Sequence, residues 1–186
     1  KKENIPNTWN LKKINEICKI TSGSGFPLEY QNGDNGEIPF IKVSDMNISG
    51  NSVYISISIN SIDKQTAHVI PAKIYPKNTI IFPKIGATIF THKRGILQKD
   101  SCFDNNIMGL IPEKVFFKYL YFWMDRIMLE NFSQITALPY LNDKIIGEII
   151  IPLPELKEQQ KIANILSNVD SLIDSTEKVI THSKKV

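Results

Sequence analysis

The sequence has little cysteine and no long apolar run. Its two cysteines, Cys18 and Cys102, lie far apart and lack the spacing of a metal site or a redox pair. No apolar stretch approaches the roughly 20 residues that cross a bilayer. A signal peptide has an apolar run after its charged start, and no such run follows Lys1–Asn4. We therefore expect a reduced, cytoplasmic chain with two ordinary thiols, no membrane partner and no bound metal.

Acidic residues are missing from one internal segment. Between Lys64 and Lys99 there are seven lysines and arginines and no Asp or Glu. The formal net charge is only +3, so the uneven distribution of charge says more than its total. A segment of one sign is typical of a surface that binds a polyanion. A solvated face that happens to lack acids is the alternative, and charge alone leaves both open.

The motifs of DNA-modifying catalysis are missing as well. Gly23–Gly25 is followed by Phe-Pro and not by a helix start with a lysine, which favours a turn over a cofactor loop. Leu138–Tyr140 lacks the polar first residue and the second proline of a methyltransferase's catalytic turn. Asp143 with Glu155–Lys157 resembles a nuclease pattern, but charges in a first helical turn are ordinary. We expect no active site. Two alternatives to a non-catalytic chain that binds a polyanion stay open: a DNA methyltransferase or nuclease, and a protein–protein interaction module.

The first 152 residues contain a strand-rich pattern. Short runs of β-branched and aromatic residues, bounded by Gly, Pro, Asn and Asp, predict strands. The predicted strands are Ile38–Val43, Thr79–Pro83, Ile89–Thr91, Ile107–Ile111 and Glu148–Ile151. One helix, about Lys114–Asn131, interrupts them, and its crowded aromatic side is expected to face a core.

Residues 153–186 predict one long helix. Pro154 suits a first helical position, and no glycine or proline follows it up to Lys185. Apolar residues recur at intervals of four and three, with a threonine at one step: Ile162, Leu166, Val169, Ile173, Thr176 and Ile180. Such a heptad seam predicts a coiled-coil helix, about 45 Å long for thirty residues, that needs a partner. A helix folded back onto its own domain is the alternative.

The predicted fold class is therefore α+β. A strand-rich domain with a few helices occupies residues 1–152, and one long C-terminal coiled-coil helix occupies residues 153–186. The division is placed where an apolar strand gives way to Pro152 and the heptad pattern begins.

The order of the motifs resembles one known family over nearly the whole chain. From Ile151, the string IPLPELKEQQKIANILSNVDSLI resembles the conserved region of type I restriction–modification specificity subunits: an apolar strand, Pro-Leu-Pro, a Glu-Gln pair and an Ile/Leu-rich helix. The motifs in the first half of the sequence also agree with those of this family in order and spacing. It contains Trp9, a predicted strand at Leu11–Ile17, the turn at Ser22–Gly25, and then IPFIKVSDM, PKIGATIF and DNNIMGLIP. The helix motif is specific, and the front motifs add weight through their order.

The resemblance implies recognition of double-stranded DNA without catalysis. Members of this family carry two target-recognition domains, each followed by a helix. The paired helices hold methyltransferase subunits and, through them, restriction subunits. S-adenosylmethionine, ATP and Mg²⁺ would belong to those partner subunits, so no cofactor is expected here. With one domain and one helix, the chain is expected to be half of a full subunit or a half-length subunit. The latter would form a homodimer through its helix and read an interrupted palindrome.

The candidate DNA-binding residues are basic side chains, mostly in the acid-free segment, and polar side chains in nearby turns. Lys and Arg neutralise phosphates and suit guanine, Asn suits adenine, and Asp accepts from cytosine. The predicted residues are Lys42, Ser44, Asp45, Lys73, Lys77, Lys84, Thr88, His92, Lys93, Arg94, Lys99, Asn105 and Asn106. Solvated turn chemistry is the alternative for Asp45, Asn105 and Asn106.

Overall fold

The fold combines ten strands with five α-helices over the described residues. The computed structural model describes residues 5–31, 33, 36–134 and 138–183. The strands are β1 (Asn10–Lys13), β2 (Cys18–Ser22), β3 (Ile38–Ile41), β4 (Tyr54–Ile55), β5 (Asn60–Ile62), β6 (Ile80–Pro83), β7 (Gly95–Leu97), β8 (Cys102–Phe103), β9 (Ile107–Pro112) and β10 (Ile150–Leu153). The α-helices are α1 (Ile14–Ile17), α2 (Lys64–Val69), α3 (Phe117–Arg126), α4 (Asp143–Gly147) and α5 (Leu156–Ser183). Short 3₁₀ helices occupy Leu28–Tyr30, Val43–Asn47, Gly86–Thr91 and Leu129–Phe132.

A five-stranded sheet in the order β2-β9-β6-β7-β4 forms the centre of the fold. β9 pairs antiparallel with both β2 and β6. Side chains of β6 alternate between two faces, so Ile80 and Phe82 join one cluster of buried residues and Ile81 joins another. Burial on both faces explains why this strand is apolar throughout and does not alternate with polar residues.

Two smaller sheets complete the strand pairing. β3 lies between β5, which is antiparallel to it, and β8, which is parallel. α2 packs beside this sheet, where Phe40, Ile62 and Ala67 share a buried cluster. β1 pairs antiparallel with β10, so the chain segment that leads into α5 is fixed to the start of the domain.

The junction between the domain and α5 is built from buried polar contacts. The Tyr119 hydroxyl of α3 donates to the Pro152 carbonyl at 2.7 Å. Gln159, in the first turns of α5, is buried. Its Oε1 accepts from the Phe116 backbone N–H at 2.8 Å, and its Nε2 donates to the Pro154 carbonyl at 2.8 Å. One amide therefore fixes both the start of α5 and the start of α3.

The predicted α+β class with a long C-terminal helix is confirmed. β3, β6, β9 and β10 coincide with predicted strands, with ends displaced by one or two residues. Two predicted strands were wrong in part or in whole. Leu11–Ile17 is a strand only as far as Lys13 and then turns into α1. Ile89–Thr91 belongs to a 3₁₀ helix, because two residues in the left-handed region, Gly86 (φ +71°) and His92 (φ +52°), close a tight turn around it.

α3 is shorter than the predicted helix at 114–131. Its first turn begins after Phe116, whose N–H donates a hydrogen bond to Gln159 Oε1. Its last turn ends at Arg126, where the carbonyls of Met124 and Ile127 accept hydrogen bonds from Arg94. Contacts distant in sequence therefore set both ends. Of the predicted aromatic side, Tyr119 is buried, while Phe122 and Trp123 are half-buried against the core.

α5 packs on α3 near its start and then leaves the domain. Ile162 is half-buried, and Ala163 is fully buried. From Ser171 to Ile180 every residue is exposed. The prediction of a helix that projects from the domain thus agrees with the exposure of its second half. The exact division at residue 152 stays a prediction, since β10 runs across it.

Replacement of Gln159 by alanine tests the junction. The change removes the partners of the half-buried Phe116 N–H and the buried Pro154 carbonyl, so we expect the free energy of unfolding to fall by about 2–4 kcal/mol. Urea unfolding followed by circular dichroism measures this loss. Gln160→Ala, at the exposed neighbouring position, is the matched control, with an expected change within about 0.5 kcal/mol. Equal effects of the two substitutions would contradict the role of Gln159.

Candidate nucleic-acid interface

Several strand ends meet along one side of the domain. In β2, Ser22 pairs with Met108 of β9, and in β6, Pro83 pairs with Ile107. β3 ends beside Phe103 of β8. Polar residues at or beside these strand ends form what we call the polar edge, together with Gln31, which bonds Lys42: Ser22, Ser24, Gln31, Lys42, Lys84, Asn105 and Asn106. Strand pairing and the contact of Gln31 with Lys42 therefore bring together residues from five separate stretches of the sequence.

Lys84 lies at the centre of the polar edge. Its Nζ donates to the Ser22 hydroxyl at 2.7 Å, and its backbone N–H donates to the Asn106 carbonyl at 2.8 Å. The ammonium group is half-buried, and the one partner that its Nζ has within the described ranges is the neutral Ser22 hydroxyl, which leaves two donors for a ligand there. This arrangement orients a positive charge without neutralising it.

Lys42 is held in a similar way. Its Nζ donates to Gln31 Oε1 at 2.7 Å, and Gln31 Nε2 in turn donates to the Phe26 carbonyl at 2.8 Å. Asp104 lies buried nearby and accepts the Asn106 N–H at 2.9 Å through Oδ1. Burial raises the pKa of Asp104, while the hydrogen bonds from Asn106 and the charge of Lys42 oppose that rise. The buried carboxylate shapes the turn that leaves Asn105 and Asn106 exposed.

Asp45 does not belong to this surface, which corrects the prediction made for it. Its side chain is 0% exposed. Its Oδ2 accepts the Lys42 backbone N–H at 2.9 Å and thereby caps the 3₁₀ helix Val43–Asn47. The carboxylate that was expected to accept a hydrogen bond from a cytosine thus accepts one from the protein backbone. Ser44, its neighbour, is exposed.

Arg94 is also corrected, because it is only 5% exposed. Its Nε donates to the Met124 carbonyl at 3.1 Å, and one terminal nitrogen donates to the Ile127 carbonyl at 2.9 Å. Burial lowers the pKa of the guanidinium, and the charges of Asp125 and Glu130 oppose that change. A guanidinium that caps the end of α3 cannot also reach a phosphate.

The other basic candidates divide between the polar edge and its surroundings. The backbone N–H of Lys73 donates to the Ser24 hydroxyl at 3.1 Å, so this exposed residue adjoins the polar edge. Lys77 and Lys99 lie beyond the opposite end of β6, and the Lys77 N–H donates to Asp100 Oδ1 at 2.8 Å. The acid-free segment therefore faces in more than one direction.

The 3₁₀ helix Gly86–Thr91 carries the remaining candidates away from Lys84. Thr88 is half-buried and its hydroxyl donates to the Ile85 carbonyl at 2.7 Å. His92 is exposed, and its Nε2 lies 3.4 Å from Glu130 Oε1. Lys93 is half-buried beside it. The contacts of Thr88 and His92 are therefore with Ile85 and Glu130, which do not belong to the polar edge.

Among the described residues, no three His, Cys, Asp or Glu side chains are grouped so that they could hold a metal ion. No helix within the described ranges is long and apolar enough to cross a membrane. Cys18 and Cys102 are both buried and free, and burial raises the pKa of each thiol to about 12.

Comparison with known proteins decides the family. A family model described as the type I restriction modification DNA specificity domain matches residues 6–182. The chain belongs to this family. The match covers the strand-rich domain and most of α5 together, as the resemblance of the motifs predicted.

Individual specificity subunits show the same likeness. The chain is 28% identical over 185 residues to the type I restriction enzyme MjaIX specificity subunit of Methanocaldococcus jannaschii, covering 94% of this chain and 40% of that protein. Its fold matches the HsdS subunit from Thermoanaerobacter tengcongensis with a TM-score of 0.69 at 16% identity, covering 96% of this chain and 41% of that one. A chain from structural work on complex assembly and conformational transition of the type I R-M system matches with a TM-score of 0.73 at 15% identity. This match covers 96% of the present chain and 42% of the other one. The chain thus spans about two fifths of these relatives.

In this specificity domain, sequence reasoning missed part of the polar edge. Ser22 and Ser24 were assigned to a turn only, and Gln31 was not singled out. Gly23 between the two serines has no room for a side chain, because the carbonyls of Phe103 and Asp104 pack against it. That close approach explains the Ser-Gly turn. Nothing in the sequence signals that Gln31 would bond Lys42.

Replacement of Arg94 by alanine distinguishes a structural role from DNA contact. Loss of the guanidinium removes buried hydrogen bonds to the carbonyls of Met124 and Ile127 at the end of α3, so we expect the free energy of unfolding to fall by about 2–4 kcal/mol. Lys99→Ala, an exposed basic residue from the same segment, is expected to change it by about 0.5 kcal/mol or less. Thermal and urea unfolding measure both. An Arg94→Ala variant as stable as the wild type would contradict the structural role of Arg94.

Proposed function

We propose that this chain reads the base sequence of duplex DNA as the specificity module of a type I restriction–modification complex. The observation that carries the proposal is the polar edge, where two lysines are oriented by neutral partners beside two exposed asparagines. The names of its relatives as specificity subunits support the same function. Methyltransferase and restriction subunits would then be directed to the site that this module selects.

The polar edge offers both kinds of contact that a sequence reader needs. Phosphate contacts supply affinity, and side chains on base edges supply specificity. The ammonium groups of Lys42 and Lys84 suit phosphates or the O6 and N7 atoms of guanine. The exposed amides of Asn105 and Asn106 suit the N6 and N7 atoms of adenine. Lys73 adds a further positive charge at the border of the polar edge.

We further propose that the chain performs no chemistry itself. In the complex, S-adenosylmethionine, ATP and Mg²⁺ would be bound by the methyltransferase and restriction subunits. The relatives support this division, since each is named as the specificity subunit of its enzyme.

α5 is proposed to be the assembly element. Beyond its contact with α3, the seam remains exposed at Val169 (45%), Ile173 (51%) and Ile180 (48%). Thr176 fits the seam, because its hydroxyl is satisfied by the Leu172 carbonyl at 2.8 Å. Leu166 and Ile162 continue the same stripe toward α3. A second helix is required to cover this surface, either from a second copy in a homodimer or from a second half of a longer subunit.

Removal of two charges from the polar edge tests DNA recognition. The double substitution Lys42→Ala and Lys84→Ala should raise Kd for duplex DNA about tenfold or more and reduce the salt dependence by about two phosphate contacts. Fluorescence anisotropy at about 0.05 and 0.2 M salt measures both effects. Lys77→Ala with Lys99→Ala removes the same charge beyond the other end of β6 and should change Kd much less. Equal losses of affinity in the two double variants would show that DNA does not bind at the polar edge. A wild-type chain without affinity for duplex DNA would contradict the proposed function.

Substitution of the seam tests assembly. Val169→Ser with Ile173→Ser should weaken self-association, or capture of a second helix, by about a hundredfold, because both partners lose buried apolar surface. Sedimentation equilibrium with the full chain measures the association. Asn168→Ser, on the exposed side of the same turn, should leave it unchanged. Circular dichroism checks that the domain stays folded, and a wild type that stays monomeric with and without a methyltransferase subunit would contradict the proposal.

A further inference from the structure

A buried carboxylate lies next to the exposed asparagines of the polar edge. Asp104 is only 6% exposed, although Asn105 and Asn106, which follow it directly, are both exposed. Burial of an ionised carboxylate costs free energy unless hydrogen bonds or an opposite charge offset that cost. Here Oδ1 of Asp104 accepts the Asn106 backbone N–H at 2.9 Å. The buried charge is thus bonded to a residue of the polar edge.

The backbone of the turn that begins at Asp104 is held from three sides. The Asp104 N–H donates to the Ile41 carbonyl at 2.9 Å, and the Asn106 carbonyl accepts from the Lys84 N–H at 2.8 Å. On the third side, Gly23 packs so closely on the Asp104 carbonyl that a side chain in its place would collide with it. The path of the backbone is therefore fixed, and the remaining freedom of this turn lies in its exposed side chains.

The Asn106 side chain lies within the influence of this carboxylate. Burial raises the pKa of Asp104, and hydrogen bonding by the backbone and the side chain of Asn106 lowers it, as do the charge of Lys42 and the Val43 N–H. An ionised carboxylate accepts hydrogen bonds and cannot donate them. The Asn106 amide can therefore bond it only through its NH₂ group, which leaves the amide oxygen and one N–H for another partner.

We propose that Asp104 is a positioning residue, which orients the Asn106 amide to read adenine in the major groove. The inference rests on the proposed function, because Asn106 belongs to the same polar edge. Adenine presents a donor at N6 and an acceptor at N7, so it pairs with an amide whose oxygen and N–H face it together. The terminal torsion of asparagine is broad, so an unsupported amide has no fixed orientation. Asp104 selects one orientation and acts on DNA through Asn106 without touching the base.

The base analogue 2-aminopurine provides the test, because it pairs with thymine but lacks the N6 amino group of adenine. Duplexes are first selected from a random-sequence library with the full chain, and each adenine of a selected duplex is then replaced singly. At one or more positions we expect the analogue to raise Kd about fivefold, the effect of one lost hydrogen bond. At one such position, Asn106→Ala should bind the adenine and analogue duplexes equally.

Asp104→Asn distinguishes positioning from a purely structural role. The substitution keeps the size of the side chain but introduces an NH₂ group, which draws the Asn106 amide oxygen away from the base. We expect the response at the Asn106-dependent position to fall below about twofold, without an equal loss of affinity for DNA. A general loss of structure would instead weaken binding to every duplex. Asp100→Asn is the matched control and should keep the full response, since Asp100 Oδ1 also accepts a backbone N–H, that of Lys77, at 2.8 Å.

The outcomes separate this inference from the function on which it rests. A folded Asp104→Asn variant with the full response, or an equal loss in Asp100→Asn, would overturn the positioning role while DNA reading stands. A wild type that responds at no adenine, or a full response in Asn106→Ala, would overturn it as well. If the wild type selects no duplex, the proposed function itself fails. Thermal unfolding establishes that each variant is folded. Asp104→Ser, whose hydroxyl can accept the Asn106 N–H, replaces Asp104→Asn if that variant is unfolded, with the same expected loss of response.

Discussion

The register of β9 is the constraint on which the candidate site depends. This strand pairs with β2 on one side and β6 on the other, and its first residues follow directly on Asn105 and Asn106. Because side chains alternate along a strand, a shift of one residue would turn the buried residues of β9 outward. The same shift would separate Lys84 from Asn106, and Ser22 from Lys84. Core packing and the geometry of the polar edge are therefore two results of one pairing.

A second constraint joins this domain to its helix. The Gln159 amide takes part in two buried hydrogen bonds, one to the residue before α3 and one to the segment before α5. A buried amide with both ends satisfied fixes direction more sharply than an apolar contact of equal size, because hydrogen bonds depend on angle. The orientation of α5 is thus set within its first turns, and the exposed second half follows as a rigid extension. Such a helix can relate the polar edge to a partner at a defined distance.

Buried charge explains why the predicted surface and the observed one differ. Arg94 and Asp45 were both chosen as charged residues in turns, and both are buried. Each satisfies backbone groups that would otherwise be unpaired, Arg94 at the end of α3 and Asp45 at a 3₁₀ helix. A sequence records the charge of a residue but not the backbone groups that surround it. Lys42 and Lys84 differ because both are half-buried and their ammonium groups donate hydrogen bonds to neutral side chains.

The sequence by itself determined the fold class, strands β3, β6, β9 and β10, the long helix with its seam, and the family. These depend on local periodicity and on motif order, which are read along the chain. Tertiary structure decided which turns meet, since Ser22, Gln31, Lys42 and Lys84 come together only through strand pairing between distant segments. It also decided the ends of α3 and the 3₁₀ form of Ile89–Thr91, where long-range hydrogen bonds and left-handed residues override local propensity. Local pattern selects an element, but contacts between distant residues select its ends and its neighbours.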